Sequence, residues 1–121
     1  MTEPRRVPAR RAIALFLMAI GVSACSMASA ADTVTGTQAH ELVSAGATLV
    51  DVRSDGEWQS GHLEGAVHIP VNEIAARMSE LPQGHPVVVY CASGMRSAQA
   101  AGVLRSAGYE VRDLGAMSNW N

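Results

Sequence analysis

The sequence predicts an α/β domain built on a mostly parallel sheet with helices over both faces. Three observations carry that class. Val87-Val88-Val89-Tyr90 is an unbroken apolar, β-branched run, the pattern of a strand buried on both sides. A second β-branched run at 48–52 reads as a partner strand. Helical spacings fall between and after them, so strands alternate with helices and must return by crossovers.

Taken in order, residues 37–45 carry Leu42 and Val43 in a short helix that Gly46 ends. The strand at 48–52 follows. Asp55–Ser60 reads as a short helical segment stopped by Gly61, and 67–69 as a short strand stopped by Pro70. Ile74, Met78 and Leu81 lie at helical spacing before Pro82. Residues 87–90 form the central strand. Ala98, Ala101, Val103 and Leu104 supply the apolar side of the next helix, which Gly108 ends before a last strand at 109–114.

Cys91 is the residue with the most chemistry. It closes the central strand and opens the loop Cys91-Ala92-Ser93-Gly94-Met95-Arg96-Ser97, which runs into the Ala-rich helix. Amides in a helix's first turn lack intrahelical partners, and the aligned peptide dipoles add positive potential there. A thiolate at that position is favoured over a thiol, which lowers the pKa and raises reactivity at neutral pH. Ala92, Ser93 and Gly94 are small enough for the backbone to curl and aim successive amides at one point. Gly94 is the place where that curl needs a positive φ. Arg96 brings a planar cationic fork suited to an oxyanion, and Ser97 a hydroxyl for the same pocket or for capping the helix. Met95, at the loop crest, faces solvent or substrate. The competing bland role, a small core hydrophobe after a strand, does not account for Gly, Arg and Ser crowding behind the cysteine. In an open α/β sheet ligands bind at the carboxyl ends of the strands, where Cys91 falls.

With these residues in place the chain resembles the single-domain rhodanese-like sulfurtransferases. The matching segments run in order: Leu49-Val50-Asp51-Val52-Arg53, Glu57-Trp58, the stretch from Gly61-His62-Leu63 through Ala66-Val67-His68-Ile69-Pro70, the Cys91 loop, and Gly115-Ala116-Met117-Ser118-Asn119-Trp120. The resemblance implies a rhodanese-like three-layer sandwich and a Cys91 that cycles between thiolate and persulfide, carrying sulfane sulfur from a donor such as thiosulfate to a thiophilic acceptor such as cyanide or a thiol. It places Ala92, Ser93, Gly94, Met95, Arg96 and Ser97 around the substrate. It also implies that Asp51 and Arg53 orient loops through hydrogen bonds and an ion pair with Glu57. Phosphatase-like and arsenate-reducing relatives place one more residue between cysteine and arginine than the four between Cys91 and Arg96, and a shorter loop makes a tighter cradle, suited to one extra sulfur. Tyr90 also stands where the phosphatase pattern has histidine. A second function class is a thiol-redox or partner-binding module that uses Cys91 as a mixed-disulfide hook; the intact cradle favours catalysis. Donor and acceptor identity are not contained in the motif.

The first thirty residues read as an export leader: Arg5, Arg6, Arg10 and Arg11, then an apolar run at 12–20 too short to span a bilayer, then the small-residue site Ala28-Ser29-Ala30. Val22-Ser23-Ala24-Cys25 offers a lipobox alternative, in which Cys25 would be lipidated and tether the domain to a membrane. Both place the domain in the bacterial periplasm. Twin-arginine export on Arg10-Arg11 is a minor variant. Residues 31–36 are expected to be a short arm and 37–121 one domain of modest core.

Loss of the leader removes four arginines and Glu3, taking the formal charge from −2 to −5, and there is no lysine anywhere in the chain. That excludes a basic nucleic-acid binder and adsorption to anionic lipid, leaving Cys25 as the one route to a membrane. With cleavage after Ala30, Cys91 is the sole cysteine, no internal disulfide forms, and a persulfide would be a protected resting state. Neither a metal nor a cofactor is expected, since no Cys-x-x-Cys or histidine spacing suggests one, and the domain is expected to be a monomer. His62 and His68 read as packing residues rather than bases, His40 and His85 as exposed, Trp58 and Trp120 as packing aromatics. The chain stops directly after Trp120, where many relatives continue with a further helix, which implies a thinner pocket rim.

Overall fold

The computed structural model describes residues 32–121; the expected leader and Cys25 lie outside them. Four parallel strands, β1 (Thr48–Asp51), β2 (Val67–His68), β3 (Val87–Cys91) and β4 (Val111–Ala116), stand in the order β2-β1-β3-β4. Helices α1 (Gly36–Ser44), α2 (Asp55–Ser60), α3 (Ile74–Arg77) and α4 (Met95–Ser106) connect them.

β3 is central because every one of its five residues is buried. Its side chains alternate between two layers. Val87, Val89 and Cys91 face a core shared with Ile74, Leu81, Ala100, Ala101 and Leu104, whereas Val88 and Tyr90 face Ala39, Leu49 and Leu114 on the α1 side. Each fully buried valine here stabilises the fold by roughly 1.5–3 kcal/mol before entropy is counted. The three-layer sandwich predicted from the sequence is thus the observed one.

Local boundaries moved where a side chain or cap outweighed periodicity. The expected helix through Ile74, Met78 and Leu81 is broken into a 3-10 turn (Val71–Glu73), α3 and a second 3-10 turn (Met78–Glu80). Prolines bound it on both sides, and the buried Tyr109 hydroxyl donates to Met78 O at 2.8 Å, drawing its end onto the core. The last strand starts at Val111 rather than 109, because the amide of Tyr109 bonds Leu104 O (3.1 Å) and closes the C-terminus of α4. On α4 the buried face is Ser97, Ala100, Ala101 and Leu104, and Ala98, expected inside, is exposed. Residues 32–34, expected as part of the arm, run beside β4: Val34 N donates to Asp113 O at 3.0 Å, and Asp32 pairs with Arg105 at 3.3 Å. A capping box joins Thr35 and Gln38 at the start of α1.

Candidate active site at the end of the central strand

β3 delivers Cys91 to the carboxyl edge of the sheet, and the chain turns through 92–94 into α4. Gly94 makes the turn possible. Its φ of +105° lies in the left-handed region, and a Cβ there would sit 3.8 Å from Gly115 Cα, so the restriction is backbone strain rather than space. Behind it the β3–β4 register slips between Val89 and Tyr90, with Gly115 at φ +83° and its amide bonded to Asp113 Oδ1 at 2.8 Å. That bulge carries the Gly115 backbone against the Cys91 loop.

Two amides converge on the sulfur. Gly94 N lies 3.0 Å and Ser97 N 3.3 Å from Cys91 Sγ, and both donate to it. Burial of the thiol pushes its pKa up, but hydrogen bonds from Ser97 and from the Gly94 and Ser93 amides outweigh burial and leave it below that of an ordinary cysteine. The Ser97 hydroxyl has one hydrogen, and its bond to Gly94 O at 3.1 Å competes with donation to the sulfur; the amides are the fixed donors. Of the loop residues predicted around the substrate, Gly94 and Ser97 therefore hold the sulfur. Ala92 and Ser93 are exposed at the mouth, and Met95 stands 80% exposed at the crest.

Arg96 takes a different place from the free anion partner expected of it. Its fork is clamped by Glu57 in a bidentate pair, Nη1 to Oε1 at 2.7 Å and Nη2 to Oε2 at 3.0 Å. Glu57 is aimed at it by a capping box at the start of α2, with Ser54 N donating to Oε1 at 3.1 Å and Ser54 Oγ receiving Glu57 N at 3.3 Å. The Arg96 bonds, helped by Ser54, hold the Glu57 carboxyl down at about 2. This corrects the expected ion pair of Arg53 with Glu57. Arg53 instead binds Asp51, Nη2 to Oδ2 at 2.6 Å and backbone N to Oδ1 at 2.8 Å, and reaches Gly61 O at 2.7 Å. Burial alone would raise the Asp51 carboxyl, and the Arg53 bonds bring it below the ordinary range. Asp51 and Arg53 thus brace the loop after α2 against the end of β1, and Glu57 joins that same helix to the cysteine loop.

Sequence reasoning missed two supports. Tyr90, fully buried under this network, receives Leu63 N on its hydroxyl at 3.0 Å, and burial first among the causes raises its phenol far above the usual value. Trp58 is sandwiched between His62 (ring centroids 3.4 Å) and His68 (4.7 Å), while His68 Nε2 donates to Arg53 O at 2.7 Å. The histidines pack as expected, but as a stack. His40 stacks likewise on Trp120 at 3.6 Å. The Ser54-x-x-Glu57 capping signature was readable in the sequence; the partner of its carboxylate was not.

A buried sulfur with a lowered pKa, held by two amides at a helix N-terminus, is equipped to be a nucleophile and to hold one added anionic sulfur. The comparisons agree with that chemistry. The Rhodanese-like domain family model matches residues 35–121. A sulfurtransferase of Allochromatium vinosum is 44% identical over 50% of this chain and 57% of its own. The chloroplastic thiosulfate sulfurtransferase 16 of Arabidopsis thaliana is 36% identical over 73% of this chain and 85% of its own. The human single-domain sulfurtransferase TSTD1 superimposes with a TM-score of 0.63 at 33% identity, over 74% of this chain and 94% of that one. Several curated relatives are longer, and this chain spans 40% to 60% of the length of four of them. With the sheet order, the cysteine loop and these likenesses together, the chain belongs to the rhodanese-like family of sulfurtransferases.

Proposed function

We propose that the protein is an exported sulfurtransferase in which Cys91 is the nucleophile and its persulfide the carrier. The thiolate attacks the sulfane sulfur of a donor, the donor's S–S bond breaks, and the electron pair leaves on the released group. With thiosulfate the balance is Cys91–S⁻ plus S–SO3²⁻ giving Cys91–S–S⁻ plus SO3²⁻. An acceptor, cyanide or a thiolate, then takes the outer sulfur and returns Cys91–S⁻. The observation that carries this reading is the pair of amides, Gly94 N and Ser97 N, on Cys91 Sγ. They favour the anionic sulfur that transfer needs in both states, so a separate general base is unnecessary. The donor's sulfur enters past Ala92 and Ser93, since Cys91 is 0% exposed with the loop closed.

Intact-protein mass spectrometry of residues 31–121 tests the reading. Thiosulfate or an organic persulfide should add one sulfur to the native protein and none to Cys91→Ser, and cyanide should discharge it as thiocyanate. A folded, reduced protein that gains no sulfur from either donor would instead be a redox or binding module. Residues 1–30 act in this reading as the leader that sends the domain to the periplasm, and the net charge of −5 on what remains offers no other hold on a membrane. Fractionation of cells expressing the full chain should return the domain with the soluble periplasmic proteins. Membrane recovery abolished by Cys25→Ala would establish the lipid-anchored form.

A further inference from the structure

The arginine expected to attract an anionic donor is already occupied. Arg96 gives both ends of its fork to Glu57, and the pair sits at the edge of the cysteine loop, with each side chain only about a third exposed (34% and 35%). No other cation stands in for it. Among the described residues every arginine is in an ion pair: Arg53 with Asp51, Arg77 with Glu73 and Glu80, Arg105 with Asp32, Arg112 with Glu110. Ala92, Ser93, Gly94 and Met95 at the mouth carry no charge, and Met95 offers an exposed apolar side chain there.

Resting on the transfer reading above, we propose that Glu57 sets donor choice: by chelating Arg96 it denies dianionic thiosulfate a cation at the cradle, so that Cys91 draws sulfur preferentially from an organic persulfide. Two amides suffice for one sulfur. They do not offset the approach of a second, doubly charged sulfonate to a thiolate on a domain of net charge −5. A persulfide, R–S–SH, brings its sulfur without that charge, and its carbon chain has Met95 to pack against. The step balances as Cys91–S⁻ plus R–S–SH giving Cys91–S–S⁻ plus R–SH: the new S–S bond forms at Cys91, the old one breaks, and the proton leaves with the released thiol. Glu57 is a positioning residue in this scheme, acting through Arg96 and touching neither sulfur. Its carboxylate stays ionised across the working pH range because the Arg96 bonds hold its pKa at about 2, so the latch is permanent.

The test is the second-order rate of Cys91 persulfidation by two donors, thiosulfate and the uncharged persulfide of N-acetylcysteamine, in the native protein and in E57Q, R96Q and E57Q/R96Q. The glutamine of E57Q keeps an oxygen to accept the Ser54 amide, so α2 keeps its cap while Arg96 loses its counter-charge. The rate with thiosulfate, taken relative to the rate with the persulfide, should rise about ten-fold in E57Q and fall back in the double variant, the size expected for exposing one cation to a dianion near a protein surface. A thermal melt of each variant checks folding. The native protein supplies a second readout that needs no substitution: thiosulfate loading should speed up with added salt, because screening weakens a net repulsion, and persulfide loading should not. An unchanged ratio in E57Q, or equal acceleration with both donors in R96Q as well, would overturn the latch and leave sulfur transfer standing; the second pattern would mark the pair as a steric cover. Loading by neither donor would overturn the transfer reading and the latch with it.

Discussion

Asp51→Asn is the substitution whose cost is best defined by the structure. Asp51 is 0% exposed, and the Arg53 side chain that it neutralises is 7% exposed, so removing the carboxylate charge leaves a guanidinium in the interior without a counter-ion. Breaking one side of a buried ion pair costs about 3–5 kcal/mol. The asparagine of D51N retains an oxygen for the Arg53 amide, which Asp51 receives at 2.8 Å in the native protein, and Arg53 keeps its 2.7 Å bond to Gly61 O, so the loss should fall at about 3 kcal/mol. A domain of roughly 90 residues holds about 5–13 kcal/mol in all. Urea unfolding should therefore show a loss of a quarter to a half of the total, and a thermal melt a drop on the order of 12–24 °C. The effect has a pH signature. Asp51's carboxyl is depressed in the folded state, so its contribution is present above its unfolded value, near 3.8, and is lost as pH falls below that. In D51N that part of the acid dependence disappears. Asp51→Leu combined with Arg53→Met removes both charges and should be more stable than D51N alone. A loss under about 1 kcal/mol in D51N, or a double variant worse than the single one, would refute the idea that the stranded charge is the cost.

Three further outcomes are expected. Ser97→Ala keeps the amide on Cys91 Sγ but removes the hydroxyl. The thiol pKa should move back up toward the ordinary value, seen as an alkaline shift and several-fold slowing at neutral pH of Cys91 alkylation by iodoacetamide, with little change in melting. Gly94→Ala forces an L side chain to φ +105° and should cost about 1–3 kcal/mol, while loosening the two-amide hold on the sulfur enough to slow loading by every donor. Gly36→Ala would drive a Cβ into the backbone carbonyl of Asn119 and against Trp120, so α1 must shift; about 1–3 kcal/mol should be lost in urea unfolding, with the Cys91 alkylation rate unchanged in the folded state.

Several of these features are legible in the sequence itself. The capping signature at Ser54 and Glu57, the apolar run into Cys91 and the glycine three residues later are short-range signals, and the structure realises each of them locally. Ala98 and Tyr109 were misplaced for a different reason. Spacing alone could not say which small residues of an Ala-rich helix face the sheet, nor that the helix end would take the Tyr109 amide. The run through Ile74, Met78 and Leu81 had the right period and the right buried face, but prolines and the Tyr109 hydroxyl cut it into three turns.

The amino-acid sequence by itself determined the class of this protein, because strand-and-helix alternation and a cysteine at a strand-to-helix turn are properties of neighbouring residues. Which charges neutralise which was decided by tertiary structure. Arg53 lies four residues before Glu57 yet turns back to Asp51, and Glu57 reaches 39 positions along the chain to Arg96. Ion pairs are chosen by proximity in the folded chain and by burial, which strongly disfavours any unpaired charge, and neither quantity is written in local order. The nucleophile was therefore visible in the sequence, and the electrostatic setting in which it works appeared only when α2 was packed against the cysteine loop.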